Sequence, residues 1–255
     1  MDIPTNHLKR ALREGQTQIG LWSSLCSHIA AEVVAASGFD WLLIDTEHAP
    51  NDLEIVHRQL QAMQGSPSSP VVRPAWNDAV IFKRLLDSGA QSFLVPYVQN
   101  ADEARRAVAA TRYPPDGIRG VASTTRANRY GRIKDYFAKA NAEICVVVQI
   151  ETPAALAEIE AIAAVDGVDG LFIGPSDLAA TMGHLGNNAH PDVRAAIGGA
   201  IGRIIRTGKA AGILAPVEAD AAHWLEAGCR FVAVGSDAGV LAKQTEILAA
   251  RFKVT

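Results

Sequence analysis

The sequence predicts an α/β protein folded as a (β/α)8 barrel, and three observations carry that expectation. Short β-branched apolar runs recur eight times along the chain. Most of the intervals between them hold an amphipathic pattern of helical length. Eight such units in 255 residues match the usual size of this barrel. A doubly wound sheet is the alternative that the same alternation allows. No Ser/Gly-rich linker divides the chain, so residues 1–255 read as a single barrel domain.

Residues 5–13 form an extra N-terminal helix that closes the barrel bottom. Strand one spans 19–25 and feeds a helix over 27–37, stopped by Gly38. Strand two (41–45) leads to a helix over 52–64. The SPSSP loop (66–70) precedes strand three (70–75), whose helix over 78–88 stops at Gly89. Strand four (92–98) is followed by a helix over 101–111. Strand five (144–150) feeds a helix over 153–165 that opens on Pro153, where the first turn tolerates proline. Strand six (170–174) connects to a helix over 191–207, opened by Pro191 and stopped by Gly208. Strand seven (212–217) and a helix over 218–227 end at Gly228; strand eight (231–235) and a helix over 237–252 complete the set. Two connections are too long for a helix alone: residues 111–139 after strand four and 175–191 after strand six. Both are expected to leave carboxyl ends of strands, where barrel enzymes build their sites and long ordered loops serve as lids.

Composition narrows the function. The chain is 49% hydrophobic and 20% charged, with a formal net charge of −3 from 24 basic and 27 acidic residues. No polybasic run offers a footprint for a phosphate backbone, so no nucleic acid partner is expected. With 21 glycines and 12 prolines the chain is neither collagenous nor of low complexity. Cys26, Cys145 and Cys229 are odd in number and form no CxxC, which argues against a disulfide framework or a thiolate zinc site and fits a reducing compartment. The start, MDIPTNHLKRALREG, lacks an apolar signal core. The apolar runs are too short to cross a bilayer, so no membrane partner is expected and a cytoplasmic location is the default.

Polar residues at the carboxyl ends of barrel strands are candidates for chemistry. Strand two ends in Asp45-Thr-Glu-His48, strand three carries Arg73, strand five ends in Gln149-Ile-Glu151, and strand six runs into Gly174-Pro-Ser-Asp177. Glu151 and Asp177 come from neighbouring strands and make a hard, oxygen-only site suited to Mg²⁺ or Mn²⁺, with Co²⁺ also fitting. The plainer alternative is that each carboxylate caps a following helix. Gln149 reads as a substrate-oriented amide or as a polar plug in the barrel. The Ser176 and Asp177 amides open a helical turn, a place for a carboxylate. A 2-oxo acid fits metal and anion site together. His48 lies three residues after Asp45; an aspartate accepting from one ring nitrogen would leave the other free to move protons. A satisfied buried histidine is the alternative. Arg73 sits in an apolar strand and needs an anion: either Glu47 as a structural mate, or an enolate oxygen to stabilise. None of the seven lysines lies in a strand, so no Schiff-base lysine is expected. No GxGxxG follows a strand, so no nucleotide is expected either. His184 and His190 read as solvated loop residues.

These residues resemble the HpcH/HpaI aldolase family. The matching stretches are LLIDTEHAPND (42–52), VVRP (71–74), LLDSGAQSFLVPYV (85–98), TRYPPDGIRGV (111–121), VQIET (148–152), VDGLFIGPSDLAATMGH (168–184), GKAAGI (208–213) and FVAVGSD (231–237). The resemblance implies a divalent-metal-dependent, class II pyruvate aldolase acting on a 2-oxo acid and an aldehyde, with Glu151 and Asp177 as metal ligands. It implies Arg73 on the ketone and enolate oxygen, and His48 paired with Asp45 for proton transfer. Gln149, Ser176, Asp177 and Leu214 would contact substrate. It also implies a homo-hexamer in which the last helix is swapped between partners, and Asp87 reaching a neighbour's site; the residues alone make Asp87 a helix-end surface residue. The chain departs from the family pattern at Thr46 (glycine is usual), at Ser176 (alanine is common) and over 122–131. An acyl-CoA lyase of the citrate lyase β kind and a non-catalytic barrel binding a 2-oxo acid are the alternatives.

Overall fold

Eight parallel strands close into a barrel in the computed structural model, which describes residues 1–253. The strands are β1 (Gln18–Ser23), β2 (Trp41–Asp45), β3 (Ser69–Arg73), β4 (Ser92–Val95), β5 (Cys145–Ile150), β6 (Gly170–Ile173), β7 (Ala210–Leu214) and β8 (Phe231–Ser236). Each pairs with its sequence neighbour, and β8 returns to β1 with a register shift between Gly20 and Trp22. The expected fold class is therefore the observed one.

Two apolar layers hold the barrel. One lies between the strands and the surrounding helices; the other fills the barrel interior with Trp22, Trp41, Leu43, Leu94, Phe172 and Phe231. Aromatic bulk inside is accommodated by missing side chains. A Cβ on Gly20 would fall 2.1 Å from the Trp41 ring, and one on Gly212 would fall 2.7 Å from Phe172. Trp41 stacks on Phe231 with centroids 4.0 Å apart. The extra N-terminal helix α1 (His7–Arg13) is present, and its Leu8 and Leu12 cap this interior layer from below.

The helices that follow β1 to β5 are started by side chains at the carboxyl rim. Ser27, Asp52, Asp78, Asn100 and Thr152 each accept a first-turn N–H from α2 (His28–Ala35), α3 (Leu53–Ala62), α4 (Ala79–Asp87), α5 (Ala101–Thr111) and α7 (Pro153–Ala157). Before α7 comes the four-residue α6 (Tyr136–Lys139). The single helix expected over 153–165 is instead two, α7 and α8 (Ile159–Ala163), broken at Glu158. The connection after β6 contains its own helix, α9 (Pro175–Thr181), before α10 (Pro191–Arg206). The last pair is α11 (Glu218–Glu226) and α12 (Asp237–Phe252).

One expectation is overturned. The segment 111–139, expected at the carboxyl end of β4, does not leave it. It follows α5, the helix that returns the chain to the amino-terminal end, so it lies beneath the barrel. There Asn6 donates its amide to the Glu143 carbonyl at 3.0 Å, and Arg126 donates to the Ser88 carbonyl at 2.8 Å. Among the described residues no helix is long and apolar enough to cross a membrane.

Candidate active site

β2 and β3 end side by side, with Asp45 in register with Arg73. Both are buried, and a buried guanidinium is stable only against anions. Asp45 supplies a bidentate partner: Arg73 Nε donates to Oδ1 at 2.9 Å and an Arg73 terminal nitrogen donates to Oδ2 at 2.7 Å. The other terminal nitrogen stands 2.8 Å from Glu47 Oε2. Trp22 lies beneath, its ring centroid 5.3 Å from the guanidinium carbon. Burial pushes the Asp45 carboxyl up, but the Arg73 hydrogen bonds and charge outweigh it and hold the group below the usual range. For Glu47 burial wins over the attraction of Arg73, and its carboxyl is raised. Arg73 thus has the structural mate Glu47, and Asp45 as well.

The expected pairing of His48 with Asp45 is not made through the ring. Asp45 Oδ1 accepts the backbone N–H groups of Glu47 (3.0 Å) and His48 (3.3 Å), and its remaining capacity is used by Arg73. The His48 side chain is 66% exposed, and its Nε2 lies 3.8 Å from Glu47 Oε2. It is neither a buried, satisfied histidine nor oriented by Asp45. Its carboxylate neighbour is Glu47, which also faces Arg73.

Across the rim, Glu151 follows β5 and is 1% exposed. Its Oε1 accepts the Tyr97 backbone N–H at 2.7 Å and its Oε2 accepts the Gln149 amide. Burial drives the Glu151 carboxyl up to about 7; the two hydrogen bonds oppose this, and the charges of Asp177 and Glu47 add to it. Asp177 sits exposed in the first turn of α9, whose N-cap is Gly174. Neither carboxylate caps a helix: Thr152 caps α7, and α9 has no side-chain cap. Gly174 is needed as glycine, because a Cβ there would stand 2.5 Å from Glu151 Oε2 and 3.1 Å from Gln149 Nε2. Gln149 keeps its own Oε1 buried and without a partner.

These features fit a hard divalent cation. The charges of Glu47, Glu151 and Asp177 bear on one another, two of the three carboxyls are raised, and among the described residues no lysine or arginine other than Arg73 pairs with them. Ser176 is exposed in the same turn as Asp177, and Leu214 closes β7, half-buried against the interior apolar layer. Asp87 is elsewhere. It ends α4 at the amino-terminal end of the barrel, facing Arg119 at 3.3 Å, and cannot reach the rim of its own chain.

The rim rests on a buried polar relay. Asp237, after β8, accepts the N–H groups of Ser24 (2.8 Å) and Leu25 (3.2 Å), and its Oδ2 lies 3.3 Å from Ser23 Oγ. Ser23 Oγ also lies 3.3 Å from Gln59 Oε1, Gln59 donates to Asn51 at 2.7 Å, and Asn51 donates to the Asp45 carbonyl at 2.6 Å. Sequence reasoning missed the roles of Trp22, Tyr97 and this relay. The polar Gln59 within an otherwise inward-facing stripe of α3 was the available signal for the relay; nothing in the sequence signalled Tyr97, a non-glycine residue at φ +54°.

A closed barrel with buried acid–arginine chemistry at its carboxyl rim is the build of a (β/α)8-barrel enzyme. The chain belongs to the HpcH/HpaI aldolase/citrate lyase family, whose model matches residues 18–243. It is 57% identical over 252 residues to a pyruvate aldolase of Rhizobium etli, covering 99% of each chain. It is 58% identical over 250 residues to a 4-hydroxy-2-oxo-heptane-1,7-dioate aldolase of Salmonella newport, covering 98% of this chain and 95% of that one. A solved HpcH/HpaI aldolase/citrate lyase family protein of Burkholderia cenocepacia superposes with a TM-score of 0.95 at 44% identity, over 97% of this chain and 99% of that one. This kinship makes the chain a carbon–carbon lyase of the aldolase kind.

Proposed function

We propose that the chain is a divalent-metal-dependent aldolase that reversibly cleaves 4-hydroxy-2-oxo acids into pyruvate, or a close analogue, and an aldehyde. The observation that carries this reading is Arg73 paired with Glu47 on the rim where the charges of Glu47, Glu151 and Asp177 bear on one another. Glu151 and Asp177 would hold Mg²⁺, Mn²⁺ or Co²⁺. Bound there, the cation supplies Lewis-acid polarisation of the substrate's 2-oxo group.

The chain's own residues account for the remaining requirements. Arg73, fixed by Asp45 and Glu47 and floored by Trp22, donates to the ketone oxygen and stabilises the charge that grows on it as the C3–C4 bond breaks. The exposed His48 imidazole, beside Glu47, takes the 4-hydroxyl proton as the aldehyde departs, and a proton returned to C3 completes pyruvate. The first-turn amides of Ser176 and Asp177 receive the substrate carboxylate. Gln149 orients Glu151 and keeps an acceptor free, and Leu214 bounds the apolar side. The same enolate chemistry predicts slow decarboxylation of oxaloacetate.

The assembly is proposed as a homo-hexamer with α12 exchanged between partners. In support, α12 leaves Val240, Leu241, Leu248 and Phe252 exposed, and Asp87, distant from its own rim, would serve a neighbour's. The test is pyruvate formation from a panel of 4-hydroxy-2-oxo acids, before and after chelation and with each cation added back. Loss on chelation and recovery with Mg²⁺, Mn²⁺ or Co²⁺ is expected. Full activity after thorough stripping, or no pyruvate from any member of the panel, overturns the proposal.

A further inference from the structure

We propose that His184, His190 and Asp192 form an accessory site for a transition-metal cation of the Zn²⁺ class, separate from the acidic rim. Donor atoms of the three side chains lie within 4.8 Å of one another, the one such His/Asp group among the described residues. Asp192 Oδ2 is the pivot, 3.9 Å from His184 Nε2 and 3.7 Å from His190 Nδ1. Donors of a tetrahedral ion at about 2.1 Å sit about 3.4 Å apart, so side-chain rotation of a few tenths of an ångström closes both gaps.

Local backbone structure assembles these donors. The His184 N–H bonds the Ala179 carbonyl at 2.7 Å, ending α9, and the Asn187 and His190 N–H groups close turns at 2.9 and 3.1 Å. Pro191 then starts α10, which places Asp192 in its first turn. The two imidazoles stack with centroids 3.6 Å apart and planes at 15°. An ion between them is reached by turning one ring, which half-buried rings on an irregular segment permit. His190 Nδ1 is held only by a 3.3 Å bond from the Asp192 N–H, a long contact to exchange for a metal bond.

The donor set separates this site from the rim. Two imidazoles and one carboxylate suit Zn²⁺, Cu²⁺ or Ni²⁺, whereas the all-carboxylate rim suits Mg²⁺ or Mn²⁺. Three protein ligands leave a fourth position for water. The same segment carries Asn188, which donates to Ser176 Oγ at 3.1 Å. An ion here would therefore staple the connection that borders Asp177.

Zn²⁺ titration of the full chain by calorimetry tests this, in wild type and in Glu151→Gln. A binding event present in both, and weakened at least tenfold in His184→Gln and in His190→Gln, is expected. Bound Cu²⁺ should show electron-spin coupling to two imidazole nitrogens that each single substitution reduces to one. Equal Zn²⁺ affinity in the histidine variants, or binding lost in Glu151→Gln and kept in the histidine variants, overturns the proposal. So does the absence of Zn²⁺ binding in wild type, or Cu²⁺ without these nitrogen couplings. Metal-free melting temperatures confirm that the variants fold. No lyase activity is read, so this site stands or falls apart from the aldolase proposal.

Discussion

Replacing Glu151 with glutamine should stabilise the metal-free protein, increasingly as pH rises from 4.5 through about 7. Burial raises the Glu151 carboxyl from 4.5 to about 7 in the folded chain. The fold therefore holds this proton more tightly than the unfolded chain does. Stability linked to the group is fully present below pH 4.5 and is lost as pH rises through about 7. Each tenfold in proton affinity is about 1.4 kcal/mol, so the ionised group costs the fold about 3 kcal/mol at pH 8. Glutamine removes that cost while keeping the shape. Its carbonyl can accept the Tyr97 N–H, and its amide can meet the unpartnered Gln149 Oε1 once the Gln149 amide turns over. Thermal melts in chelator should show the variant above wild type by roughly 6–12 °C at pH 8 and near parity at pH 5. Adding Mn²⁺ should then raise wild type and leave the variant in place. A gap that is the same at both pH values would refute the burial argument.

Substitutions at three further positions probe the rim. Arg73→Ala should cost about 3–5 kcal/mol by stranding Asp45 and Glu47. Arg73→Lys keeps the charge but loses the fork and should slow cleavage by about 10²-fold or more; pyruvate C3 proton exchange by NMR surviving at wild-type rate would remove Arg73 from the enolate role. Gly174→Ala drives a Cβ to 2.5 Å from Glu151 Oε2 at an ordinary φ of −89°. The fold should persist while Mn²⁺ affinity, read by titration, falls about tenfold or more. Asn51→Ala strips partners from Gln59 and from the Asp45 carbonyl; about 1–3 kcal/mol per stranded group is expected in urea unfolding, with a matching fall in turnover.

The barrel was legible because eight apolar runs and eight helical stripes repeat with the right periods, and because prolines at helix starts and glycines at helix stops punctuate them. The rim positions of Arg73, which ends β3, and Glu151, which follows β5, were legible because strand ends have a known place in a barrel, and Asp177 came with them as the first turn after β6. What failed was direction. Three-residue spacing could not reveal that Asp45 faces Arg73 while His48 turns outward, because that depends on φ and ψ in an irregular loop. The 111–139 segment lies at the other end of the barrel because α5 (Ala101–Thr111) carries the chain back before it begins, and loop length alone does not tell the two ends apart. Tyr97 contributes to the site through a backbone N–H, which its side-chain identity does not announce.

The buried polar contacts that run from Asp237, past the Ser23 hydroxyl it shares with Gln59, to Asn51 and Asp45 tie the loop bearing Glu47 and His48 to β1, α3 and the far side of the ring closure. Such a loop has no private opening motion. In hydrogen exchange the amides of Glu47 and His48, though near solvent, should be released on the slow clock of the barrel strands. The acidic rim would then be as long-lived as the closure of β8 onto β1 beneath it.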